Sequence, residues 1–218
     1  MTISPRYDVM ATESARPGYI SAVVLAAGAA RRMGREKLLL PVEGQPLVRR
    51  VAREVVALGL SEILVVANDR NRPAVFAALS DLAVRVLTNE RADEGIGTSI
   101  ALAASSVAAT SQALLLLQGD QPFVECGMLR TLIAEWTEGS FDFVASSFAG
   151  VVTTPVLFDR RLFEELRALQ GDRGAKSVLD RHSSAGRVLE FPRWRGLDVD
   201  TPEDYRSVCQ RSCSERRR

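Results

Sequence analysis

The chain is poor in the side chains on which most hydrolases and metalloenzymes depend. Its 218 residues include one histidine, His182, and three cysteines, Cys126, Cys209 and Cys213. Without His182, no Ser/His/Asp or Cys/His nucleophile system can be assembled, and its place between Arg181 and Ser183 reads as surface. An odd, sparse set of thiols argues against a disulfide framework, and with a single imidazole a tetrahedral zinc site is not expected. Cys209 and Cys213, in the basic tail, read as free thiols. Excess charge is lacking too: 28 basic against 27 acidic residues leave +1, which argues against a nucleic-acid scaffold. No apolar run approaches the about 18 residues needed to span a bilayer. Residues 1–18 carry Arg6, Asp8, Glu13, Arg16 and two prolines without an apolar core, so they are no secretory signal. A reduced, cytoplasmic setting is expected, with no membrane and no nucleic-acid partner.

What is present is ordinary globular composition, 46% hydrophobic and 25% charged, at a length suited to one α/β domain. The expected organisation is a flexible leader at 1–18, a single domain at 19–207 and a basic, frayed tail at 208–218. Strand and helix signals alternate. Ile20–Ala26, Glu62–Ala67, Val84–Thr88 and Leu114–Leu117 read as strands, the last wholly apolar as in the middle of a parallel sheet. Pro46–Leu58, Pro73–Leu79 and Met128–Trp136 read as helices, and Thr98 or Ser99 can cap another through about Ala109. Trp136 is expected in the core and Trp194 in loop packing. Later strands are expected at Phe143–Phe148, Pro155–Phe158, Arg187–Phe191 and Gly196–Val199. Asp159 precedes one helix, another is expected near Gly174–Arg181, and Thr201 caps a closing helix with Asp204 at its third position. The pattern predicts a Rossmann-like, doubly wound, mostly parallel sheet in three α/β/α layers, with its ligand crevice at the carboxyl ends of the strands.

The loops that come after strands carry the chemistry. In VVLAAGAARRMGREKLLLP (23–41), an apolar strand runs into a glycine-bearing loop and then Arg31, Arg32, Arg35 and Lys37. Small residues let backbone N–H groups close on phosphate oxygens while cations offset the charge, which suits a triphosphate. The loop matches neither G-x-x-x-x-G-K-[ST] nor a complete G-x-G-x-x-G. Gln118-Gly119-Asp120-Gln121-Pro122 leaves Asp120 at a strand tip. A carboxylate beside phosphates calls for a divalent cation such as Mg²⁺; the alternative is a cap for the next helix, from which Asp120 stands several residues away. Asp198 and Asp200 alternate with Val199, so both could face that metal, or both could merely satisfy a strand-to-helix turn. Gly95, Gly97, Thr98 and Ser99 open a helix that could receive a base, ribose or phosphate, or form a plain capped loop.

Several motifs in order resemble the MobA-like nucleotidyltransferases. They are Leu25-Ala26-Ala27-Gly28, Arg32-Met33-Gly34, Lys37, Leu38-Leu39-Leu40-Pro41 and Gly95-Ile96-Gly97-Thr98-Ser99. Gly119-Asp120-Gln121-Pro122, Pro155-Val156-Leu157-Phe158, Gly171-Asp172-Arg173-Gly174 and Asp198-Val199-Asp200-Thr201-Pro202 continue the likeness over roughly 20–206. Within that family, Ala-Ala-Gly, Leu-Leu-Leu-Pro and Gly-Asp-Gln-Pro look most like molybdenum cofactor cytidylyltransferases, whereas guanylyl-transferring relatives tend to carry Ala-Gly-Gly and Gly-Asp-Met-Pro.

The resemblance implies a nucleotidyltransferase fold in which Leu25, Ala26, Ala27 and Gly28 line the nucleotide and Arg32 and Lys37 hold its phosphates. Gly97, Thr98, Ser99 and Gly119 would lie against the nucleotide, and Asp120, with Asp198 or Asp200, would bind Mg²⁺. Implied partners are CTP, a phosphorylated acceptor such as molybdopterin, and a molybdoenzyme or its maturation factor. Two departures stand out: Ala30 occurs where the family often has serine, and Val152-Thr153-Thr154 where it often has Arg-Gly-Asn or Arg-Gly-His. Cytidylyl or uridylyl transfer to a methylerythritol or sugar phosphate, or a non-catalytic nucleotide or cofactor carrier, are the alternatives.

Overall fold

The computed structural model describes residues 20–28 and 36–215. The leader expected at 1–18, together with Ala30, Arg31, Arg32, Arg35 and residues 216–218, lies outside the described residues. In chain order the first elements are β1 (Ile20–Ala26), β2 (Pro41–Val42), β3 (Gln45–Pro46), α1 (Leu47–Val56), β4 (Glu62–Asn68) and α2 (Arg72–Ala78). Next come β5 (Arg85–Asn89), α3 (Ile96–Ser106), β6 (Ala113–Gln118), α4 (Cys126–Glu138), β7 (Phe143–Phe148) and β8 (Val151–Asp159). The chain closes with α5 (Phe163–Arg167), α6 (Lys176–Arg181), β9 (Gly186–Phe191) and α7 (Pro202–Glu215).

Seven strands form one sheet in the order β5-β4-β1-β6-β8-β7-β9, and β2 and β3 pair separately. Only β8 runs against its neighbours; β5, β4, β1 and β6 pair in parallel, as do β7 and β9. The mostly parallel α/β sheet expected from the alternating pattern is therefore the architecture. Strand β1 shows why its residues read as one apolar run. Ala22, Val24 and Ala26 join one core cluster with α1 and α4, while Val23, Leu25 and Ala27 join a second with α3 and α5. Burial on both faces removes the alternation that a half-exposed strand would show. Leu115 and Leu117 of β6 face the first cluster and Leu114 and Leu116 the second. A third, smaller cluster joins Leu40, Val42, Leu47, Phe123, Val199 and Val208, anchoring α7 beside the loop after β6.

The β1–β4–β5 half winds to one side of β1, and β6 lies on the other. Such a reversal leaves a crevice beyond the carboxyl ends of the two central strands. Beside it, β7 and β8 form a hairpin through Ala149 and Gly150, whose φ values of 51° and 79° suit a two-residue turn matching strand twist. Pairing slips between Ala145 and Ser146, opposite Thr154 and Pro155. Proline has no N–H for the ladder, and Ser146 Oγ instead donates to Pro155 O at 2.8 Å.

Three expectations need correction. Residues Gly196–Val199 are not a strand: a 3₁₀ turn over Arg193–Gly196 leads into irregular chain, where Val199 N–H donates to Asp120 O at 3.1 Å. Strand β8 begins at Val151, four residues before the expected Pro155. Helix α7 continues through most of the segment read as a frayed tail, with Val208 and Ser212 buried. Its start follows the expected pattern: Thr201 Oγ1 accepts from Asp204 N–H at 3.2 Å, and Asp204 Oδ2 accepts from Thr201 N–H at 2.8 Å. Asp159 likewise accepts from Arg161 N–H at the following turn. Trp136 packs against the first cluster and Trp194 lies edge-on to Phe123, as expected of a core and a loop tryptophan.

Candidate active site

A cleft of about 410 Å³ opens at the carboxyl ends of β1 and β6. Leu25, Ala27 and Gly28 line it from the exit of β1, Gln118 and Asp120 from the exit of β6, and Ile96 and Ser99 from the start of α3. Lys37, Asp172 and Asp200 close its remaining sides. Residues far apart in sequence thus converge where the fold's reversal requires.

The centre of the cleft is an ion triad. Lys37 Nζ donates to Asp120 Oδ2 and to Asp200 Oδ1, each at 2.6 Å. The short 3₁₀ turn Lys37–Leu39 holds this geometry by burying Leu38, which fixes the backbone beneath the lysine. Burial opposes the ammonium charge, but the charge and hydrogen bond of Asp120, then Asp200, outweigh it and hold the lysine pKa above its ordinary value. Asp120 is 8% exposed; its second oxygen, Oδ1, is buried without a hydrogen-bond partner. A buried carboxylate oxygen left unmatched is costly unless something binds there.

Asp198, the companion expected on the same strand face, is exposed and does not line the cleft. The alternation argument fails because no strand exists at this point. Its carboxyl is pushed above the usual range by partial desolvation and by the nearby charges of Asp120 and Asp200. Of the two aspartates, Asp200 is the one that reaches Lys37.

The wall at α3 also differs from expectation. The helix starts at Ile96, two residues before Thr98, and Gly95 precedes it with φ 121°. A Cβ on Gly95 would lie 2.3 Å from the Gly171 carbonyl carbon, and one on Gly97 would lie 2.8 Å from Arg173 O. Gly97 N–H donates to Gly171 O at 2.8 Å. Both glycines therefore permit close packing of the helix start on the 170–174 loop. Thr98 Oγ1 donates inward to Arg91 O and Gly95 O, at 2.9 and 2.8 Å. Neither Gly97 nor Thr98 lines the cleft, whereas Ser99 does. Ala26 lies buried beneath the loop, and Gly119 is a crossing point: its N–H donates to Leu25 O at 2.9 Å, and an added Cβ would stand 3.2 Å from that oxygen.

A model of the MobA-like NTP transferase domain matches residues 22–186. The chain belongs to this family. Purine catabolism protein PucB of Bacillus subtilis is 30% identical over 202 residues, covering 88% of this chain and 97% of that protein. Nicotine blue oxidoreductase of Paenarthrobacter nicotinovorans is 29% identical, covering 84% and 93%. Among solved structures, Rv0371c of Mycobacterium tuberculosis H37Rv overlays with a TM-score of 0.80 at 29% identity, covering 88% and 98%. A second structure of Rv0371c is a complex with manganese. Structures as distant as 15% identity still share the fold, with a TM-score of 0.72. Membership makes this MobA-like protein a nucleotidyltransferase that takes a nucleoside triphosphate.

The cleft includes groups to which sequence reasoning gave no role. Asp172 lies in the Gly171-Asp172-Arg173-Gly174 motif and lines the cleft, as do Gln118 and Asp93. Asp172 could have been found from its motif; Asp93 carried no signal beyond its place before α3. His182 is half-buried, its ring nitrogens 3.1 Å from Asp142 Oδ2 and 2.6 Å from Glu165 Oε1, and it is not among the residues lining the cleft. Among the described residues, no three His, Cys, Asp or Glu side chains gather into a ready metal cage, and no helix is long and apolar enough to cross a membrane. The donor set nonetheless fits a hard divalent ion. Asp120 and Asp200 offer carboxylate oxygens already arranged around a cation, and Asp120 Oδ1 lacks a partner. Mg²⁺ commonly takes one or two carboxylates and completes its shell with water and substrate phosphates.

Proposed function

We propose that this protein transfers CMP from CTP to the phosphate of a molybdopterin-type cofactor, releasing pyrophosphate. The observation that carries the transferase reading is the meeting of Lys37, Asp120 and Asp200 in the cleft. The Ala27 position of the loop after β1 and the Gly119-Asp120-Gln121-Pro122 turn resemble the cytidylyl branch of the family, which supports CTP as donor. Purine catabolism and nicotine blue, in the names of two relatives, point to no single acceptor.

In this reaction an acceptor phosphate oxygen attacks the α-phosphorus of the triphosphate. The new P–O bond forms as the bond to the bridging oxygen breaks, and the electron pair leaves with pyrophosphate. A phosphate monoester, with a second pKa of about 6, is already largely dianionic near neutrality. No general base is required, in keeping with a cleft whose described lining holds no histidine. The protein's contribution is alignment and charge compensation. Lys37 can exchange its carboxylate partners for phosphate oxygens, and the N-terminus of α3 directs its positive end toward the same space. Asp120 and Asp200 would hold Mg²⁺, which would stabilise charge on the transferring and departing phosphates; manganese in the Rv0371c complex supports a divalent ion at a related protein.

The test is calorimetry with CTP, GTP, ATP and UTP in the presence of Mg²⁺, followed by pyrophosphate release across an acceptor panel. The panel holds molybdopterin, methylerythritol phosphate and sugar phosphates. Preference for CTP with turnover on molybdopterin supports the proposal. Turnover on another phosphate with none on molybdopterin replaces the acceptor, and tight CTP binding with no pyrophosphate from any acceptor identifies a carrier.

A further inference from the structure

Behind the cleft, two asparagines grip the loop that leaves β1. Asn68 ends β4 and Asn71 stands just before α2. They close on each other reciprocally: Asn68 N–H donates to Asn71 Oδ1 at 3.0 Å, and Asn71 N–H donates to Asn68 Oδ1 at 2.9 Å. Those two bonds would suffice to make the turn. The side-chain amino groups do something further. Asn71 Nδ2 donates to Ala26 O at 2.8 Å, and Asn68 Nδ2 donates to Ala27 O at 3.0 Å. Asn71 is 3% exposed and, although it occupies the helix-capping position, its side chain makes no capping bond. An asparagine there ordinarily accepts from the first turn of its own helix. Here the carboxamide is committed instead to the neighbouring strand.

The consequence comes from the peptide unit. Across a trans peptide, C=O and the next N–H point in opposite directions. Holding Ala26 O and Ala27 O toward the asparagines turns the N–H groups of Ala27 and Gly28 the other way. Ala27 and Gly28 both line the cleft. We infer that Asn68 and Asn71 are positioning residues that aim these two backbone N–H groups at the bound nucleotide. The bracket does so without touching the ligand. It gives the Ala27 and Gly28 amides a fixed direction before the ligand arrives. The inference rests on the nucleotide-binding reading of the cleft.

Asn68→Asp and Asn71→Asp test it, because each keeps the oxygen that closes the turn while replacing the outward amino group with an oxygen that repels the loop carbonyl. With CTP and Mg²⁺ as the probe, calorimetry should show affinity about tenfold weaker or worse in each variant. The urea midpoint of the ligand-free variants reports any general damage. Unchanged affinity, or a lowered midpoint with unchanged affinity, overturns the bracket. If neither variant folds, the wild-type protein decides by amide NMR. The Ala27 and Gly28 amide resonances should shift as CTP is added; if they stay in place while those of Ser99 and Asp120 move, the inference fails. A wild-type protein that binds no triphosphate overturns the underlying nucleotide reading and the bracket with it, and that result is distinct from selective loss in the variants.

Discussion

The two walls of the cleft use loops of the same kind, each leaving the carboxyl end of a strand, for opposite purposes. After β1 and β6 the loops deliver side-chain charge: Lys37 meets Asp120 at 2.6 Å, and Asp200 joins from the approach to α7. After β5 the loop delivers close backbone packing, since Gly95 and Gly97 press against residues 170–174 and Thr98 folds inward. Glycine in a loop at the edge of a cleft therefore has two meanings. It can leave room for a ligand or for another stretch of chain, and only the neighbouring atoms distinguish them.

That contrast can be broken most severely at the charged wall. Asp120→Ala should lower pyrophosphate release by about 10²-fold or more, equivalent to roughly 3 kcal/mol of transition-state stabilisation. Lys37→Met should act on the same scale, and because the two groups touch, the double variant should lose less than the product of the single losses. Steady-state assays of the three variants check this; undiminished turnover in Asp120→Ala would remove the carboxylate from the chemistry.

At the packing wall, the damage should appear in stability instead. Gly97→Ala forces a Cβ against backbone atoms at 2.8–2.9 Å and should destabilise the fold by roughly 1–3 kcal/mol in urea unfolding, while kcat per folded molecule changes little. A selective loss of nucleotide affinity without loss of stability would erase the distinction between the walls.

A smaller effect is expected at the start of α7. Asp204→Ala should cost about 1 kcal/mol of stability, since it removes the acceptor that Thr201 uses. Desolvation alone would raise the Asp204 carboxyl, but the hydrogen bonds from Thr201 and the Asp200 N–H win and lower it. A group with a depressed folded pKa contributes fully above the ordinary carboxylate range and loses its contribution as pH falls through the lowered value. Comparing the variant and wild type by urea unfolding from neutral to acid pH should therefore show the difference shrinking on the acid side. The smallest effect belongs to Asp198→Asn, which should change turnover by less than about threefold, under roughly 0.7 kcal/mol. A loss as large as that of Asp120→Ala would restore Asp198 to the reacting centre.

Much of this architecture was legible because the central strands are buried on both faces. β1 matched its expected bounds, and β6 extended the expected apolar run by one residue at each end. Asp120, Asp200 and Lys37 could be singled out from their loops, yet their meeting depends on contacts spanning 83 and 163 positions, which only the sheet order supplies. Residues 196–199 misled because Leu197 and Val199 alternate like a strand, whereas both belong to the small cluster around α7. The Thr98 cap misled because a hydroxyl near a helix start can reach back to Gly95 O from inside the first turn. Asn68 and Asn71 offered only the faint signal of two amides flanking a turn. Their amino groups act on carbonyls of β1 and its exit, whose involvement the local pattern cannot disclose.

The reversed strand β8 decides where the chain tolerates added length. Because it runs opposite to β6, its first residues rise beside the carboxyl end of β6, and Thr154 Oγ1 donates to Gln121 Oε1 at 3.0 Å, in the loop that carries Asp120. The two-residue bend at Ala149 and Gly150 stands beyond that contact. Insertions at such a bend leave the pairing below it intact. Lengthening this fingertip would therefore leave the Thr154–Gln121 contact and the β6–β8 register in place.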